Sequence, residues 1–188
     1  LFLQVFLGLM LSVIAARASE PSHVLPDGKE IYLLNAKEGA EAILDDRGEP
    51  FFSVLTTLDL SVRMGTALDP RDYEKNKDRF AAFLKSCVRD WTPQEEKVFL
   101  EILKAAQAAA SAVTPDLIPK RWVFIKTTGQ EEGGAFYARG GAIVVPQESL
   151  NNLLADPKSG VLVREIIHES IHLYSRVHPE KRTRLYQA

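Results

Sequence analysis

The run Val161 to Val177, Val-Leu-Val-Arg-Glu-Ile-Ile-His-Glu-Ser-Ile-His-Leu-Tyr-Ser-Arg-Val, constrains the fold of this chain more than any other segment. Its apolar residues Val163, Ile166, Ile167, Ile171 and Tyr174 recur at helical spacing, as expected of a helix with one side laid against a core. On that helix His168 and His172 stand four residues apart, so their imidazoles share a face about 6 Å apart along the axis. Two imidazoles in that relation can reach one metal ion, and the carboxylate of Glu169 between them can take a proton from water on that ion. The fold must therefore bury one side of this helix and leave the histidine side facing a cleft.

The residues before the helix narrow the architecture. Ala135-Phe136-Tyr137-Ala138, Arg139-Gly140-Gly141 and Ala142-Ile143-Val144-Val145-Pro146 read as a hairpin whose second arm ends at proline. Proline removes a ladder donor, so the second arm reads as an edge strand. An edge strand followed by a helix carrying His-Glu-x-x-His resembles the zincin metallopeptidases, in which an antiparallel edge strand runs along the cleft beside the metal helix. The resemblance covers the last third of the chain. It implies an α+β fold with a helical N-terminal part, a small mixed sheet with an antiparallel edge strand, and then the active-site helix. It further implies a zinc ion on His168 and His172, Glu169 as general base, and hydrolysis of a peptide or protein substrate. The substrate backbone would pair as an added strand along Ala142 to Val145. The same residues would also suit a zincin-like module that has lost catalysis and serves binding or structure.

A catalytic zinc takes three protein ligands and keeps one position for water, so two histidines are not a whole site. His178 follows His172 by six residues, the spacing at which the metzincin pattern His-Glu-x-x-His-x-x-Gly-x-x-His sets its third histidine. Ser175 stands where that pattern has glycine. A left-handed exit from the helix at serine would cost roughly 1 kcal/mol. Pro179 pushes His178 away from helical geometry, which helps a turn without aiming the ring. In the gluzincins the third ligand is a glutamate on a later helix; Arg182 to Ala188 reads as a helix cut off in mid-course, which would put that ligand beyond Ala188. Glu180 and Glu165 are local carboxylate alternatives, and Glu165, one turn before His168, also suits an acceptor that orients an imidazole. Tyr137, Tyr174 and Tyr186 could donate to an oxyanion, although the spacing of Tyr174 favours the core. His23 has no partner pattern.

Upstream, residues 19 to 30 carry Pro21, Pro26 and Gly28 among polar residues and read as a flexible leader to a single domain spanning 31 to 188. Ile31 to Leu34 suits a short strand. Glu38 to Leu44 and Phe51 to Val62 suit helices, the second with Phe52, Leu55, Leu58 and Val62 inward, though Ser53 to Thr57 would also suit a strand. Asp69-Pro70-Arg71-Asp72 starts a helix that should run to about Arg89. Thr92-Pro93-Gln94-Glu95 is a capping box opening another, with Phe99, Ile102, Leu103, Ala106, Ala110 and Val113 on its buried stripe. These two are expected to pack as an antiparallel hairpin. Arg121 to Thr127 reads as a strand with Trp122, Phe124 and Lys126 on one face, followed by a mobile loop through Gly129, Gly133 and Gly134 and a short helix from Ser149 to Leu154.

Composition excludes some partners. Of 188 residues 46% are hydrophobic and 26% charged, as in an ordinary globular domain. The net charge is −2, and losing Arg17 with the leader leaves 22 basic against 25 acidic residues, so nothing favours nucleic acid. The mixed charges of Arg71 to Arg79 read as a solvated face. Leu1 to Ala15 is apolar and Ala16-Arg17-Ala18 is the small-x-small pattern of a signal-peptide cleavage site, so residues 1 to 18 read as a signal peptide and the domain as exported. An uncleaved anchor is the one case in which a membrane would be a partner. Cys87 is the single cysteine, so the fold must hold without an internal disulfide, and its apolar neighbours Phe80, Phe83, Leu84, Val88 and Trp91 predict a buried thiol.

Overall fold

The computed structural model describes residues 20–46, 50–156 and 160–187. The chain begins with β1 (His23–Val24) and β2 (Glu30–Leu34), then α1 (Ala36–Ala42), α2 (Thr57–Met64) and α3 (Tyr73–Cys87). The short β3 (Val88–Arg89) leads to α4 (Pro93–Ser111), β4 (Arg121–Thr127), β5 (Tyr137–Arg139) and β6 (Ala142–Pro146), and the chain closes with α5 (Gln147–Ala155), α6 (Val161–Val177) and α7 (Pro179–Gln187). The class is α+β with a mixed six-stranded sheet in the order β1-β2-β4-β6-β5, β3 pairing with the end of β4. β2, β4 and β6 run parallel; β1 and β5 add antiparallel at the two ends.

The central strands are apolar on both faces because both faces are covered. Ile31, Leu33, Trp122, Phe124, Ile143 and Val145 point to one side, where Phe99, Leu103 and Ala106 of α4, Leu150 and Leu153 of α5, and Leu162, Ile166 and Leu173 of α6 meet them. Tyr32, Leu34, Val123, Ile125, Ala142 and Val144 point to the other, against Ile43, Leu60 of α2 and Phe80 and Leu84 of α3. α1 lies so close to the sheet that a Cβ on Gly39 would come within 2.8 Å of Val88 Cγ1, which only glycine avoids.

Several elements differ from their expected form. The stretch after Glu20 belongs to the domain instead of forming a loose leader: His23 pairs with Ile31, Leu25 is buried, and Ser22 Oγ accepts from the Leu33 amide. The N-terminal part is therefore not purely helical. Phe51 to Val54 form turns held by Asp46 Oδ1, and the helix begins only after Thr56, whose capping box with Asp59 starts α2. Its inward residue is Leu60, while Leu58 and Val62 are each 73% exposed. The Thr92–Glu95 capping box forms as expected, but Val113 falls past the end of α4 and is exposed. α3 and α4 do not pack as a hairpin, because β3 joins the sheet between them and they cover opposite faces.

The glycine loop after β4 is built instead of loose: a single turn at Gln130–Glu132 buries Glu131, which accepts from the Tyr137 hydroxyl at 3.2 Å. Cys87 is buried and free, and burial raises its pKa. The expected signal peptide, residues 1 to 18, lies outside the described residues. No helix among the described residues is long and apolar enough to cross a membrane.

Candidate metal centre

α6 lies along one face of the sheet, beside α4 and against β5 and β6. Its buried stripe is Leu162, Ile166, Glu169, Ser170 and Leu173. That stripe is turned from the one expected: Val163, Ile167 and Tyr174 are only partly buried and Ile171 is 47% exposed. Leu162 and Leu173, at the i and i+11 positions around Ile166, supply the better-matched apolar line. Ser170 can sit in the core because its hydroxyl donates back to the Ile166 carbonyl at 2.7 Å.

The rotation exposes both histidines and buries the carboxylate between them. The His168 and His172 Nε2 atoms lie 3.1 Å apart, their rings edge to face with centroids 4.8 Å apart. Ligand nitrogens about 2.0–2.1 Å from a tetrahedral ion stand roughly 3.3 Å from each other, so the pair fits two sites of one zinc. Glu169 Oε1 is 3.9 Å from His168 Nε2, and the nearest ligand atoms of all three residues lie within 4.8 Å. The carboxylate thus stands beyond hydrogen-bond distance of the His168 nitrogen and close enough to the pair to accept from a water between them. Burial raises the Glu169 pKa against the pull of the neighbouring imidazoles, which makes the carboxylate a better proton acceptor than an exposed glutamate. The His168 side chain, by contrast, is 63% exposed, so the imidazoles face solvent more openly than a cleft would allow.

The structure brings together His168, Glu169 and His172 and leaves the other ligand candidates outside that group. Ser175 stays helical, its hydroxyl donating to the His172 carbonyl, and the His178 amide still bonds Tyr174. The sharp turn that would return His178 toward the histidine pair is therefore missing. Six helical residues place it about 240° around the axis from His172. Its ring packs on Tyr174 at 4.3 Å and its Nδ1 faces Glu180 at 3.5 Å. Tyr174 is held by this contact and by Lys181 Nζ at its hydroxyl, and Tyr137 donates to Glu131, so neither turns toward the histidines. Glu165 and Glu180 are likewise outside the group. The side chain of Tyr186 falls outside the described residues.

The strand expected at the edge of the sheet is interior. β6 is bonded to β4 on one side and β5 on the other, with Ala142 to Val145 wholly buried, so no peptide can add along it. The hairpin itself forms, with Gly140 at φ 55° in its two-residue loop. The antiparallel edge is its first arm, β5. One residue that sequence reasoning passed over joins this edge to the site. Arg176, one turn after His172, donates from Nη1 to the Gly140 carbonyl at 3.1 Å and from Nη2 to the Ala138 carbonyl at 3.3 Å. Its i+4 place after His172 was the available signal.

No protein-family model, curated protein or solved structure matches the chain.

Proposed function

We propose that the protein is an exported zinc-dependent peptidase whose metal is held by His168 and His172 and whose general base is Glu169. The observation that carries the reading is the pair of Nε2 atoms 3.1 Å apart with a buried carboxylate beside them, two imidazole donors and one base on a single helix. Zinc held there would act as a Lewis acid, polarising a carbonyl and acidifying water. The two imidazoles hold and orient. Glu169, with its proton affinity raised by burial, accepts the proton of the attacking water and returns it to the leaving amine. α6, packed along its length on the sheet, keeps the three groups in register. A catalytic zinc would need one more protein ligand, and among the described residues no other His, Cys, Asp or Glu joins the group.

The test is metal content and peptide hydrolysis measured together on wild type and Glu169→Gln. The amide keeps shape but cannot take a proton, so zinc should stay stoichiometric while hydrolysis falls by about 10² to 10⁴. Zinc retained by a wild type that cleaves no peptide would instead favour the binding-module alternative, which the open exposure of His168 also suits. Absence of zinc from both would remove the metal centre.

A further inference from the structure

We propose that Arg176 is a displaceable lock on the peptide-binding edge of the sheet. The ligand class, an extended peptide, rests on the peptidase reading; the lock rests on hydrogen bonds of the hairpin and α6. β5 is three residues long, and in its antiparallel pairing with β6 the residues alternate between facing the partner strand and facing out. Arg139 opposite Ala142 closes a two-residue loop, which turns its amide and carbonyl inward and those of Ala138 outward. The Ala138 carbonyl is therefore the acceptor that a peptide adding to this edge would use first. Arg176 already holds it, and holds the next carbonyl of the loop, Gly140, as well. The guanidinium stands where the amides of an added strand would stand.

Its place on the helix gives the contact a use. His168, His172 and Arg176 follow one another at four-residue steps, so the side chain that covers the edge springs from the turn next to the histidine pair. A peptide that pairs with Ala138 must move the guanidinium off the carbonyls, and the histidines lie one and two turns further along the same helix face. Moving that one side chain thus frees the edge beside a histidine pair that already stands open to solvent. With no peptide present, the same two hydrogen bonds blunt an edge that would otherwise invite pairing with another chain.

The experiment measures binding of a dye-labelled, end-blocked peptide of alternating valine and threonine by fluorescence anisotropy, on wild type, Arg176→Ala and Arg176→Lys. Zinc content and thermal unfolding are followed in parallel. Charge-assisted hydrogen bonds that must be broken for pairing lower apparent affinity, so Arg176→Ala should bind on the order of tenfold tighter than wild type. Arg176→Lys, which keeps the charge but lacks the fork that spans two carbonyls, should fall between. Folded variants that bind the peptide no tighter than wild type overturn the lock, and so does loss of folding in both, which would make Arg176 a structural clamp. If only the alanine variant fails to fold, the lysine variant decides. Tighter peptide binding without zinc in any variant would keep the lock and sink the metal reading; zinc without any gain in peptide binding would do the reverse.

Discussion

Replacing Glu95 by glutamine should cost about 3 kcal/mol or more of folding stability at neutral pH, although it removes no apolar contact and keeps the capping box of α4. Glu95 is 5% exposed and its partner Lys126, at the end of the central strand β4, is 3% exposed. Oε2 accepts from the Lys126 ammonium and from the Thr92 amide, each at 2.7 Å, and Oε1 accepts from Gln147 Nε2 at 2.6 Å. Burial alone would raise the carboxyl pKa; the hydrogen bonds from Lys126, Gln147 and Thr92 outweigh it and hold the pKa at about 2 against an ordinary 4.5. A displacement of that size corresponds to about 3 kcal/mol. Because the folded pKa is the lower one, this stability is fully present above pH 4.5 and drains away as pH falls from there toward 2. Glutamine can still cap Thr92, but it leaves the Lys126 charge buried without a counter-charge, a loss of roughly 3–5 kcal/mol. Glu95→Leu with Lys126→Met removes both charges and should cost far less than the two single changes added together. Urea unfolding at pH 7 and pH 3 on wild type, Glu95→Gln, the two single variants of the cycle and the double variant is the assay, and the double variant should lose the acid sensitivity that this carboxylate supplies. A Glu95→Gln cost below about 1 kcal/mol at pH 7, or strict additivity in the cycle, would refute the view that this pair staples α4 and α5 to the sheet.

Other outcomes follow from the same structure. His172→Ala should abolish tight zinc binding, measured by metal analysis after dialysis, because the site loses one of its two imidazoles and what is left cannot hold the ion in its geometry; stoichiometric zinc in that variant would place the metal elsewhere. Val144→Pro should prevent folding, seen by circular dichroism, since proline in a wholly buried strand bonded on both sides breaks the ladder. Val144→Thr should fold with a loss of about 1–3 kcal/mol for the buried hydroxyl, and a folded proline variant would argue for a free edge at β6. Leu60→Ala should lower stability by about 2–5 kcal/mol, whereas Leu58→Ser, on the exposed side of α2, should change it by less than about 0.5 kcal/mol in chemical denaturation; reversed magnitudes would mean that α2 packs by its other face.

Local signals were legible wherever a few neighbouring residues decide the outcome. The Thr92 capping box, the hairpin ahead of Ala142, the helix from Val161 and the closeness of His168 to His172 all follow from spacings of two to four residues, which backbone geometry turns directly into contacts. What the sequence left open was settled by the sheet. Apolar runs such as Ala142 to Val145 suit an interior parallel strand as well as an edge, and only the covering of both faces by helices made β6 interior and passed the edge to β5. The rotation of α6 was decided by how Leu162, Ile166 and Leu173 fit against α4 and the sheet, and that turn buried Glu169, exposed Ile171 and aimed Arg176 at the hairpin. Lys126 carried no mark of its partner, because Glu95 lies 31 residues away and the two meet only once β4 and α4 have packed. Short-range geometry is written in the order of residues; burial and long-range pairing depend on which surfaces exclude water together, and only the assembled fold contains that information.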